Sequence, residues 1–103
     1  MMVYQKLVRD RIPAIIESQG KIPNIRILSN KEYSDALAQK LDEEVGEFHR
    51  DQNLEELADI LEVIYALSEN LGASKEELLE IYNKKHKERG GFRERILLIS
   101  NEG

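Results

Sequence analysis

Residues 40–67 read KLDEEVGEFHRDQNLEELADILEVIYAL, and this stretch decides the fold. Glu44 and Glu47 form an E-x-x-E pair, and Glu56 and Asp59 form an E-x-x-D pair. On a helix, side chains three apart project from one face. Only the polar interval from Phe48 to Glu55 separates the pairs. That is enough for one helix to end and a second to return antiparallel. Two helices packed in this way point four carboxylates at one another. Like charges so placed repel unless a cation lies between them. An all-oxygen donor set suits a hard ion such as Mg²⁺.

Helical phase sharpens the expectation. At roughly 100° per residue from Tyr33, Leu37, Leu41, Val45 and Phe48 fall in one apolar arc of about 120°, and Glu44 lies within it. Glu47 lies just off its edge. In the following helix Val63 falls angularly between Glu56 and Asp59. Solvated acids belong opposite the apolar stripe, and a charge placed in it is costly unless paired or metal-bound. Taken singly, each acid also reads as an ordinary surface residue in a chain that is 34% charged. Two pairs at this phase argue for a site.

The remaining chain reads as further helices. Pro13 suits the first turn of a helix to about Gln19, with Asp10 as its cap and Gly20 as its stop. Residues 23–29 (PNIRILS) read as extended. A helix capped by Asn30 runs to about Arg50. The next, capped by Asn53 or Asp51, runs to about Leu71 and stops at Gly72. It is apolar nearly all round beyond Leu57, so it is expected to be the central, most buried helix. Ser74 and Glu77 form a capping box for a fourth helix, which ends near Arg89 at Gly90-Gly91. Residues 95–100 (RILLIS) suggest a short strand, and its pairing with 25–29 is an expectation to be tested. The fold class that follows is all-α. It is an antiparallel bundle of about four helices in one domain, 1–103, with that two-stranded pairing as an addition.

Composition narrows the function. The chain has 103 residues, no cysteine and a net charge of −5. It therefore has no thiol nucleophile, disulfide or thiolate metal site. No apolar run approaches a membrane span, and MMVYQKLVRDR lacks a signal-peptide core. The expectation is a cytoplasmic protein that does not engage membranes. Its negative charge opposes bulk attraction to nucleic acid. Bases are nevertheless clustered, with Lys6, Arg9 and Arg11 near the start and Lys84, Lys85, Lys87, Arg89, Arg93 and Arg95 near the end. The second cluster fits a helix C-terminus electrostatically. It equally suits phosphate oxygens, with Gly90-Gly91 allowing close backbone approach. Acids for a metal and bases for phosphate are the parts of metal-assisted phosphate chemistry.

KLVRDRIPAII at 6–16, the two acidic pairs, ELADILEVIYAL at 56–67 and KKHKERGGF at 84–92 resemble the MazG-like all-α nucleoside-triphosphate pyrophosphohydrolases, in the branch related to phosphoribosyl-ATP pyrophosphohydrolase. The resemblance runs from about Lys6 to Ile99. It implies a helical bundle, dimeric or higher, that binds Mg²⁺ (with Mn²⁺ as a substitute) through Glu44, Glu47, Glu56 and Asp59. It also implies cleavage of a nucleoside triphosphate between the α and β phosphates, giving a monophosphate and pyrophosphate, in the removal of non-standard or surplus nucleotides. Lys6, Arg9, Lys84 and Arg89 match its basic positions and are the candidate substrate-binding residues. Glu43, Glu44 and Glu47 are the candidate catalytic acids. Glu43 lies on the flank of Glu47, where it could accept a proton from the attacking water or serve as an outer residue. Glu62 is a candidate fifth oxygen ligand.

His49 and His86 have no Glu three residues before them, so the E-x-x-H di-iron signature is absent. Asp51 to Glu62 matches EF-hand ligand spacing, but Glu56 stands where the loop needs Gly. A single Arg89-Gly90-Gly91 in an acidic chain is not an RNA-binding repeat. Tyr4, Tyr33, Phe48, Tyr65 and Phe92 all read as core or as base contacts. The competing class is a non-catalytic nucleotide-sensing or oligomerisation module with the same fold.

Overall fold

A computed structural model of the chain describes residues 5–103. Four helices follow in order: α1 (Ile12–Ser18), α2 (Asn30–Asp51), α3 (Leu54–Asn70) and α4 (Lys75–Arg89). The fold is all-α, and the described residues contain no strand. Residues 25–29 and 95–100 are therefore not paired. Ile25 and Ile27 are largely exposed, as are Ile96 to Ile99. β-branched residues favour extended backbone without supplying a partner strand, because pairing depends on packing context.

Local signals set most helix ends. Ser29, not Asn30, caps α2, in a capping box with Glu32. Asn53 caps α3 by accepting from the Glu56 backbone N–H at 3.0 Å. Ser74 and Glu77 form the α4 capping box. Asp10 does not cap α1. Arg11 holds that position with no side-chain hydrogen bond, and Pro13 in the first turn removes one amide that would need a partner. Gly72, at φ +89°, ends α3 with bonds from its own N–H to Glu69 and from the Ala73 N–H to the Ser68 carbonyl. A left-handed residue after the last turn, followed by these two bonds, is the helix-stop geometry that favours glycine.

The chain turns from α2 into α3 in two residues, Gln52 and Asn53. Gln52 is left-handed, at φ 46° and ψ 53°. This tight connection forces α2 and α3 antiparallel and sets their register. Among the described residues, Leu37 (2% exposed) and Val63 (7%) are the buried apolar ones. Leu41 and Phe48 are half-buried, while Val45 at the arc's edge is exposed.

Helix α3 packs on both α2 and α4, as its apolar sequence suggests. It is not well covered, however. Leu57 and Leu61 are each 45% exposed. It is still the central and most buried of the four helices, as expected, but α2 and α4 cover only part of its circumference. Tyr33, Phe48 and Tyr65 are half-buried, Phe92 is exposed, and Tyr4 lies outside the described residues. The radius of gyration is 18.2 Å, against about 13 Å for a compact domain of this length.

Candidate metal and phosphate site

The α2–α3 register brings the two acidic pairs together. One carboxylate oxygen from each of Glu44, Glu47, Glu56 and Asp59 lies within 4.8 Å of the other three. Glu44 is buried at 7% exposure, and the other three are half-buried. Three apolar neighbours on the same faces, Leu37, Leu41 and Val63, explain why these acids are drawn out of water.

Burial is incompletely compensated. Glu44 Oε1 lies 3.3 Å from Lys40 Nζ. Glu44 Oε2 and Glu56 Oε2 are buried with no hydrogen-bond partner. Buried carboxylate oxygens are ordinarily satisfied, and each orphan calls for an explanation such as an ion. Burial, chiefly, holds the Glu44 carboxyl above its usual range; nearby Glu47 adds to the rise and Lys40 opposes it. Burial also raises Glu56, and Glu47, Asp51 and Asp59 reinforce it.

The donor set fits a hard divalent cation. All donors are oxygens, the acids carry formal negative charge, and two oxygens are orphaned. Octahedral Mg²⁺ at about 2.1 Å from each ligand separates opposite oxygens by roughly 4.2 Å. The four oxygens share an envelope of 4.8 Å, which is of the same scale.

Cations rim the acids. Arg9 Nη1 lies 3.6 Å from Asp59 Oδ1, and Arg9 Nη2 donates to Glu62 Oε1 at 3.2 Å. Lys6 Nζ lies 4.0 Å from Glu43 Oε1. Lys40 Nζ is 3.4 Å from Glu43 Oε2. The chain before α1 thus carries Lys6 and Arg9 to the acidic faces of α2 and α3, as the N-terminal cluster suggested. Glu62 faces Arg9 instead of joining the four clustered oxygens.

Lys40 was not singled out by the sequence reading. Its signal was present, because it precedes Glu43 by three and Glu44 by four, the spacings at which helix side chains meet. Its side chain is 16% exposed, so it is the best-buried cation at the site. Lys84 and Arg89 stand apart. Both are exposed on α4, and among the described residues no ion pair joins them to the acids.

The raised carboxyls have a consequence for the metal-free chain. A carboxyl with a folded pKa above its unfolded value contributes stability below the unfolded pKa, about 4.3. That contribution is lost as pH rises through the folded pKa. In EDTA at pH 7, Glu44→Gln should therefore melt a few degrees above the parent. The difference should vanish as pH falls below the usual carboxylate range. Thermal melts across pH 4–8 check this. A variant that melts lower at pH 7 would mean that the Lys40 pair outweighs burial and the neighbouring Glu47 charge.

No family model matches the chain, and no solved structure matches it. An uncharacterised protein of Mycolicibacterium smegmatis is 60% identical over 42 residues, which is 41% of this chain and 43% of that protein. The chain thus spans less than half the length of this relative. Among the described residues, no helix is long and apolar enough to cross a membrane.

Proposed function

We propose that the chain is a Mg²⁺-dependent nucleoside-triphosphate pyrophosphohydrolase that acts as a homo-oligomer. One observation carries the reading: four carboxylates converge with two orphaned buried oxygens, and Lys6, Arg9 and Lys40 stand at their rim. The resemblance of KLVRDR, the acidic pairs and KKHKERGGF to MazG-like enzymes supports the same reaction.

Glu44, Glu47, Glu56 and Asp59 would hold the cation, with Mn²⁺ as a substitute. When bound, the cation supplies polarised phosphate oxygens and a water of lowered pKa. Glu43, between Lys6 and Lys40, accepts the proton as a water oxygen attacks the α phosphorus. The bond from that phosphorus to the oxygen bridging to the β phosphate breaks, giving a nucleoside monophosphate and pyrophosphate. Arg9 and Lys6 neutralise charge on the departing pyrophosphate. Arg9 is free to do so at low cost. Its pairs with Asp59 and Glu62 are solvent-exposed, and such pairs contribute only about 0.2–1 kcal/mol.

Self-association is supported by the surface. The chain presents 9694 Å², where a monomeric protein of 11.9 kDa presents about 6,000 Å². Leu57, Leu61, Ile81 and Tyr82 remain substantially exposed.

A panel of canonical and modified nucleoside triphosphates, incubated with Mg²⁺ and assayed for pyrophosphate, tests the reaction. Pyrophosphate should appear with at least one nucleotide and vanish in EDTA. Binding without release from any nucleotide would instead establish a sensing module.

A further inference from the structure

The last stretch of the chain lies uncovered. At Gly90, φ is +78° and ψ −171°, a backbone conformation that favours glycine, and α4 ends there. A turn follows, closed by the Arg95 N–H on the Phe92 carbonyl at 3.1 Å. Ile96, Leu97, Leu98 and Ile99 then run without a partner, at exposures of 79%, 83%, 76% and 89%. Four consecutive large aliphatic side chains in water mark an interaction segment.

A receptor for such a segment exists on α3 and α4. Leu61, Ile64, Tyr65, Leu78, Leu79 and Tyr82 line an open apolar groove of about 290 Å³. Within one chain the tail leaves it uncovered, since Leu61, Leu79 and Tyr82 are 45%, 38% and 57% exposed.

Two observations identify the occupant. The first is charge. Apart from the acidic site, residues 63–83, which hold most of the groove's lining, carry four acids and one base, Lys75. Residues 84–99, which lead into the tail, hold six bases and two acids. Such opposed segments attract between copies. The second is area. The excess surface is roughly 3,700 Å² per chain over the expectation for a monomer. That exceeds one partner's share of most obligate interfaces, which bury about 2,000–5,000 Å² in total. A helix-face contact alone leaves the tail's aliphatic surface unaccounted for.

We propose that residues 96–99 of one chain occupy the α3–α4 groove of a second copy, and that the exchange is reciprocal. This rests on the self-association reading, and it assigns the contact that holds the copies together. It does not depend on the acidic site or on the reaction.

Because the chain has no cysteine, single thiols can be placed at will. Full-length Leu98→Cys and Leu79→Cys chains are mixed, equilibrated and treated with a short bis-maleimide, and the parent is sedimented in parallel. The expected result is a dimer by sedimentation and a covalent heterodimer in the mixture. Adding Ile96→Asp to the Leu98→Cys chain should remove that product. Ile96→Asp in the parent should weaken dimerisation roughly tenfold or more, the consequence of losing one buried aliphatic side chain. Ile96 is exposed within the chain, so this substitution leaves the helices intact. A dimer that gives no 98–79 crosslink would overturn the inference and leave self-association standing. A monomer by sedimentation would overturn both. A chain carrying both thiols that crosslinks only within itself would also overturn the inference, by showing that the tail folds back.

Discussion

Glu44→Gln and Asp59→Asn should each abolish pyrophosphate release, and each should erase the melting-temperature rise that Mg²⁺ gives the parent. The two acids come from different helices, α2 and α3, and their oxygens meet within 4.8 Å. Removing one preorganised group at a site of developing charge typically costs a hundred- to a thousandfold. Loss of a ligand that also holds the cation should reach or exceed the upper end. At a hundredfold excess over Kd, a ligand that binds only the folded state adds about 2.7 kcal/mol. For a domain of this size that corresponds to a shift of roughly 10–20 °C. The parent should show this shift and each variant should not. Unchanged activity in either variant would remove that residue from the site. Reading activity and melting together separates a lost ligand from a lost catalytic group: Glu43→Gln should lower turnover while keeping the Mg²⁺ shift.

Arg9→Ala should lower kcat/KM by roughly ten- to a hundredfold, the usual worth of a charge-assisted hydrogen bond of about 1.5–3 kcal/mol. It should leave the metal-dependent melting shift in place, because its pairs with Asp59 and Glu62 are exposed. An effect under about threefold would mean that Arg9 serves only as a surface partner of α3. The α4 bases offer the contrast. Lys84→Ala and Arg89→Ala are compared with Lys85→Ala and Lys87→Ala. Within one chain, α4 packs on α3 with these bases exposed. A loss confined to Lys84 and Arg89 would mean that assembly brings the α4 end of another chain to the acids. Four equal and small effects would assign the segment to the favourable charge at a helix C-terminus.

Features within one turn of helix were readable from the sequence alone. The spacing of Glu44 with Glu47, and of Glu56 with Asp59, fixes which residues share a face. The Ser74 and Glu77 capping box, the Asn53 cap and the Gly72 stop are likewise short-range chemistry, and each is found as expected. The Ser29 and Glu32 box is equally short-range, with Asn30 beside it as a competing cap residue.

Longer-range features required the tertiary structure. The two-residue turn at left-handed Gln52 sets the α2–α3 register, and that register determines which oxygens converge and which two are orphaned. Lys40 becomes part of the site because it is half-buried as well as correctly spaced, and burial depends on the neighbouring helix. The proposed pairing of 25–29 with 95–100 failed because extended propensity is local, whereas a strand partner is a matter of placement. Phe92 and Val45 read as apolar core yet lie exposed. Hydrophobicity states that a side chain gains by leaving water, and only packing decides which surface receives it.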